Sequence, residues 1–243
     1  MIASRSLVFL LVVAALCTFT PTEARAQFYA DAYLGGNRTL RANVSVDQPE
    51  RGTGLTFHDV TFSARPLASP QYYGVRLGRL FGQSRHYGAE IEFIHLKVIS
   101  NTDETVRVTG QLEGAPIDET LRMDTLVQRY AMTHGLNFLL LNAVARRPIG
   151  DTRVALIGRA GAGPTYPHAE SRIGEVPREQ YEYAGVGVHV AAGTDIRLRR
   201  ALSASIEYKC TAARPRISVV EGRGRMHAVT HQIAIGLAFG LSR

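Results

Sequence analysis

The sequence predicts an all-β chain: an eight-stranded antiparallel up-and-down transmembrane β-barrel behind a cleaved signal peptide. Three observations carry this. First, Val229 to Leu241 alternates an apolar parity (Val229, His231, Ile233, Ile235, Leu237, Phe239, Leu241) with a small or polar one (Thr230, Gln232, Ala234, Gly236, Ala238, Gly240). A water-facing sandwich strand would show Lys, Glu and Thr, whereas a Gly and Ala parity suits a crowded lumen, and the run reaches the roughly 9–11 residues of a tilted membrane strand. Second, the connections between alternating segments are themselves alternately short and long. Third, after the N-terminal segment no apolar run approaches the roughly 18 residues of a spanning helix, which leaves a closed barrel as the membrane-spanning solution.

At the N-terminus, Arg5 precedes the apolar run Leu7 to Leu16, and Ala24-Arg25-Ala26 forms an A-x-A cleavage site before Gln27. This reads as a secretory signal over residues 1–26, with the barrel domain over 27–243. Cys17 follows Leu16, where lipoprotein processing wants a small residue, so a lipid anchor is not expected. Cleavage removes Arg5, Glu23 and Arg25, leaving 26 basic against 20 acidic residues, net +6, with Cys210 as the remaining cysteine. No intramolecular disulfide is then expected despite an oxidising export route. The positive charge suits anionic head groups and equally a soluble basic protein.

Eight strands follow from alternation and turn signals. The first, near Phe28 to Gly36, sets Phe28, Ala30, Ala32 and Leu34 against Tyr29, Asp31 and Tyr33; the second, near Gln71 to Phe81, sets Tyr73, Val75 and Leu77 against Gly74, Arg76 and Gly78. In the third, near Tyr87 to Val98, Ile91 and Phe93 oppose Glu90 and Glu92. The fourth, near Gln128 to Arg146, puts Leu136, Phe138, Leu140 and Val144 on one side and Gly135 and Asn137 on the other, with a register left open because its lower half is apolar on both faces. A fifth runs near Arg153 to Pro164. The sixth, near Tyr183 to Arg197, opposes Val186, Val188, Val190 and Ile196 to Gly185, Gly187, His189, Gly193 and Asp195. In the seventh, near Ala201 to Thr211, Leu202, Ile206 and Tyr208 face away from Ser203, Ser205, Glu207 and Lys209; the eighth is the stretch from Val229.

Links near Gly82 to His86, Arg147 to Asp151 and Leu198 to Arg200 are short. Those near Asn37 to Pro70, Ile99 to Val127, Thr165 to Glu182 and Ala212 to Arg225 are long, polar and poor in large apolar residues, with no second domain expected. Short periplasmic turns and long external loops are the order of an outer-membrane barrel. On these parities Asp31, Arg76, Glu90, Glu92, Arg159, Asp195, Glu207 and Lys209 point inward, where side chains fill an eight-stranded barrel and charges must pair.

The histidines collect towards the external end. His95, His134 and His168 lie on or just beyond strands three, four and five, so with Asn137 and Glu170 they fall within reach of one cluster. His227 and His231 lie on the far side, and His231 groups with Glu207, Tyr208 and Lys209. Parity turns His134 and His231 towards lipid. His with Glu can ligate a metal or serve as acid and base, although no tight H-x-x-x-H spacing occurs. There is no G-x-S-x-G, P-loop or C-x-x-C, which argues against serine-hydrolase, phosphate-cradling and thiol chemistry.

Ile206-Glu207-Tyr208-Lys209 resembles the E-Y-K or E-Y-R strand of small barrels of the outer-membrane-protein-A type. Four blocks, Glu90 to Lys97, Thr133 to Asn137, Gly161 to Glu170 and Thr230-His231-Gln232, are similar to barrels labelled lipid A oxidase. That resemblance implies an oxygen-dependent enzyme converting the proximal glucosamine of lipid A to 2-aminogluconate, with His95, His134, Asn137, His168, Glu170, Glu207 and His231 as candidate site residues of unassigned role. It implies a monomer in the bacterial outer membrane whose partner is outer-membrane lipid, lipid A in particular, with no nucleic acid; the cofactor is left open, a divalent metal being one option. Two other readings stand beside it: a non-enzymatic structural or surface-binding barrel, and a soluble periplasmic β-domain.

Overall fold

The computed structural model describes residues 28–82, 84–174 and 176–240; the signal-peptide reading, and Leu241 to Arg243, lie outside them. Eight long strands make the barrel: β1 (Phe28–Thr39), β2 (Tyr73–Phe81), β3 (Tyr87–Ser100), β4 (Val127–Pro148), β5 (Val154–Ile173), β6 (Gly185–Arg197), β7 (Leu202–Ala213) and β8 (Ala228–Gly240). Each pairs antiparallel with its sequence neighbours, and β1 closes on β8 from Tyr29 opposite Gly240 to Thr39 opposite Thr230. Closure leaves no free edge among the eight, the condition for a sheet to stand in hydrocarbon.

The outer wall is apolar: Leu77, Ile91, Leu141, Val190, Ile235 and Leu237 are exposed on a barrel whose inward positions are buried. Exposed Phe28, Phe81 and Tyr87 ring the end that carries the short links, and exposed Tyr166, Tyr183 and Tyr208 ring the other. Two aromatic girdles around an apolar band are the surface of a transmembrane barrel.

Inside, the expected charges meet. Arg76 reaches Asp31 at 3.0 Å, Glu92 at 2.8 Å, Glu207 at 2.7 Å and Glu90 at 3.7 Å. Arg159 pairs with Glu90 and Glu207, Lys209 with Glu92, and Asp195 with Arg146. Tyr29 and Tyr33 donate to Glu90 and Glu92, their rings lying where Gly78 and Gly74 have no side chain. The middle of the lumen is thus filled by paired charged groups.

The fourth strand keeps the expected grouping, and the structure supplies the register that the sequence leaves open. Leu136, Phe138, Leu140 and Val144 turn inward, while Leu139 and Leu141 face out. Asn142 shares the inward parity, and its amide donates to Glu90 and Glu92 at 2.8 Å each, so one polar residue fixes a register that the apolar ones leave ambiguous. The fifth strand also runs past its expected end to Ile173. Its ladder with β4 lapses at Gly163 and Pro164, where proline has no N–H to give, and again at His168 and Ala169.

The long connections are not the loops expected. Hairpins Ala42–Gln48 with Thr53–Val60, Thr105–Leu112 with Ala115–Arg122, and Arg216–Val219 with Gly222–Met226 join edge to edge in one external six-stranded sheet. Its buried Val44, Val46, Leu55, Phe57, Val108, Ile217 and Met226 share one apolar cluster with Val98, Val127, Tyr130, Met132 and Ile173 from the upper barrel strands. These apolar residues are spread thinly among charges along the chain, so composition hides them until pairing gathers them. Val46→Ala is expected to cost ~2 kcal/mol locally. It should appear as faster hydrogen exchange across residues 42–60, with exchange in β1 and β8 below the girdle unchanged.

Candidate functional site

At the external end β4 bulges. Between the pairs Leu136 with Pro167 and Ala131 with Glu170, four residues of β4 lie opposite two of β5, and the β3 ladder shifts register at the same level, between Leu96 and Val98. Gly135, at φ +101°, makes the bulge, a backbone conformation that side chains disfavour. The bulge pushes His134 outwards onto the wall.

Across from it, β5 presents His168 and Glu170, and the strand Val176–Tyr181 folds back along β5 with Tyr181 opposite His168 and Glu179 opposite Glu170. Four ligand-type side chains therefore converge from three strands: His134, His168, Glu170 and Glu179 place one donor atom each within 4.8 Å of one another. Glu170 Oε1 lies 3.6 Å from His168 Nδ1 and 3.8 Å from His134 Nδ1, and His168 Nε2 lies 3.1 Å from Glu179. The His134 and His168 rings meet edge to face at 4.7 Å, and His168 packs on Tyr181 at 4.5 Å.

Around these, Arg129 holds Glu170 Oε2 at 2.5 Å and the Thr133 hydroxyl donates to Oε1. The side chains of His168 and Glu170 are 11% exposed, those of His134 and Glu179 54% and 62%, so the cluster is anchored inside and open outside. His95 joins through Asn137: its Nδ1 bonds Asn137 Oδ1 at 2.9 Å, and Asn137 Nδ2 donates to the carbonyls of Tyr166 and His134. Stacking on Tyr73 at 5.1 Å holds the His95 ring.

Five of the seven candidate residues thus assemble on one side of the barrel. Glu207 does not join them, because Arg76 and Arg159 claim it in the lumen. His231 stands apart on β8, bonded to the Tyr208 hydroxyl, and the grouping expected for it with Glu207 and Lys209 fails because those two point inward. Sequence reasoning misses Glu179, Arg129 and Thr133. Glu179 falls in a stretch that reads as loop, and only its cross-strand position opposite Glu170 reveals it. His189 also escapes it, buried in the lumen with Nε2 2.9 Å from Asn142 and 3.3 Å from Glu92; its inward parity is the available signal.

A closed eight-stranded wall with an apolar band, paired aromatic girdles and a filled charged interior defines an outer-membrane barrel, and the bacterial outer membrane is where it resides. No protein-family model and no curated protein matches the chain. Among solved structures it is similar to the outer membrane protease OmpT from Escherichia coli, with a TM-score of 0.47 and 10% identity over 92% of this chain and 99% of that one. It is also similar to Neisserial surface protein A, with a TM-score of 0.44 and 9% identity over 90% and 100% of the two chains. A third likeness is to outer membrane protein OprG from Pseudomonas aeruginosa, with a TM-score of 0.44 and 12% identity over 90% and 99%.

Proposed function

We propose that this barrel is an enzyme of the outer leaflet that oxidises the proximal glucosamine of lipid A to 2-aminogluconate with dioxygen. The observation that carries this reading is the cluster of His134, His168 and Glu170 on the outer wall, beside the exposed ring of Tyr166 that marks the head-group level. A group on the lipid side of the wall at that depth meets lipid rather than a soluble substrate. Arg129 and Arg172, cross-strand partners just above, add two guanidinium groups suited to an anionic head group.

The chemistry balances at a free anomeric hydroxyl. The carbon gives up its hydrogen and the hydroxyl its proton, two electrons pass to dioxygen, hydrogen peroxide leaves, and water opens the resulting lactone to the acid. The product is one oxygen atom heavier. A histidine steadied by Glu170 is the group to take the hydroxyl proton.

The external six-stranded sheet favours the competing reading, a surface-binding barrel without catalysis. Mass spectrometry of lipid A from aerobic cells with and without the protein separates them. A gain of one oxygen that requires both the protein and His134 is expected. Unchanged lipid A, with the protein shown folded in the outer membrane, would reject the oxidase and leave the surface-binding reading.

A further inference from the structure

We infer that His134, His168, Glu170 and Glu179 form a binding site for one first-row divalent transition metal ion. Metal binding stands on these side chains alone; a catalytic use for the ion rests on the oxidation reading above.

Three features point to a cation here. Glu170 and Glu179 sit directly opposite each other on paired strands, an arrangement of like charges that is destabilising unless something positive lies between them. Arg129 occupies only Oε2 of Glu170, while Oε1, which accepts from the Thr133 hydroxyl, is turned towards both histidines. His168 Nδ1 is buried with no hydrogen-bond partner, a ring nitrogen that a metal or a proton would satisfy.

The donor set chooses the class of ion. Two imidazoles with two carboxylates suit zinc, iron, cobalt or manganese rather than calcium or magnesium, which take all-oxygen shells. Bond lengths of about 2.0–2.2 Å to such ions put neighbouring donor atoms roughly 3–3.6 Å apart. With Nδ1 as the His168 ligand, the separations of 3.6 Å from His168 and 3.8 Å from His134 to Glu170 Oε1 lie close to that spacing, and the four donor atoms together span no more than 4.8 Å. The two outermost ligands, His134 and Glu179, are the exposed ones, free to close the remaining gap. Thr133 and Arg129 then serve as the outer partners that orient Glu170.

The cluster is the sole such grouping of His, Cys, Asp and Glu among the described residues. His231, with Tyr208 as its partner, supplies a built-in control.

The test uses the full-length barrel, folded in detergent and stripped of metal, titrated with cobalt(II) and read by its visible ligand-field spectrum. Zinc competition and elemental analysis after dialysis give the stoichiometry. Wild-type protein should retain one equivalent with a spectrum reporting imidazole ligation, and His231→Ala should match it. His168→Ala and Glu170→Gln should lose binding by more than the roughly 10–100-fold that removing an outer partner such as Thr133 brings. Heat-dependent gel mobility shows which variants are folded, and His134→Ala, on an exposed side chain, keeps the test open if His168→Ala fails to fold. No retained metal in the wild type, or wild-type retention in both His134→Ala and His168→Ala, would overturn the site. Metal bound with lipid A unchanged would refute the oxidase while leaving the metal site standing; oxidation by metal-free protein would refute a catalytic use of the ion and leave the oxidase.

Discussion

Arg76→Met is expected to destabilise the folded barrel by ~3–5 kcal/mol, the scale of stranding buried charges by removing one partner. Arg76 is 1% exposed and touches four carboxylates. Without it Glu92 keeps Lys209, and Glu90 and Glu207 keep Arg159. Asp31 keeps no ion-pair partner, and its Oδ1 already lacks a hydrogen bond. Adding Asp31→Asn removes the stranded charge, so the double variant should be more stable than Arg76→Met alone. Urea unfolding of the barrel in lipid bilayers measures both. A single variant within about 1 kcal/mol of wild type would mean that water or chain relaxation screens the lumen, contrary to its burial.

That network is legible in the sequence, and the reason lies in period 2. In β3, Glu90 and Glu92 alternate with Ile91 and Phe93, and in β7, Glu207 and Lys209 alternate with Ile206 and Tyr208, so a charge on the small-residue parity can only point into the lumen. The alternation of short and long links reveals the orientation in the same way. Where the pattern breaks down, a single parity no longer carries information. In β4 both faces are apolar around Leu139 to Leu141, and the register is set by Asn142, whose need for Glu90 and Glu92 is a long-range fact. The external sheet is hidden for a similar reason: Val44 and Val46 find Ile217 and Met226 only after strands from three separate connections pair.

The site shows the same division. His95, His134, Asn137, His168 and Glu170 can be placed together because β3, β4 and β5 are neighbours and all five lie near one end. His134 is expected on the lipid side and lies there, but not by the simple parity, since Leu136, Phe138, Leu140 and Val144 of the same parity turn inward and a bulge separates them from it. His134 reaches the wall through the positive φ of Gly135, and Glu179 arrives from a strand whose polar sequence resembles loop. Glu207 is the opposite case: a likeness to a family motif makes it a candidate, but its parity already points it into the lumen, where two arginines hold it away from the cluster.

Gly135→Ala is the substitution expected to harm the site most while sparing the barrel. At φ +101° any Cβ is strained, at a cost of about 1–3 kcal/mol. The added atom would also stand 2.4 Å from His95 Nδ1 and 2.5 Å from Asn137 Oδ1, on top of the hydrogen bond that joins them. Relief requires either breaking that bond or flattening the bulge, and flattening withdraws His134 from His168 and Glu170. Displacing a positioned group by about 1 Å can cost on the order of 100-fold in rate. On the proposed oxidation, lipid A conversion should therefore fall by about that factor, and cobalt affinity at the proposed site should fall with it, while heat-dependent gel mobility stays that of a folded barrel. Gly36→Ala is the control, since a Cβ there meets nothing within 4 Å. If Gly135→Ala matched Gly36→Ala in both conversion and metal affinity, the bulge would be only a way of bending the wall, and His134 would not need the position that the glycine gives it.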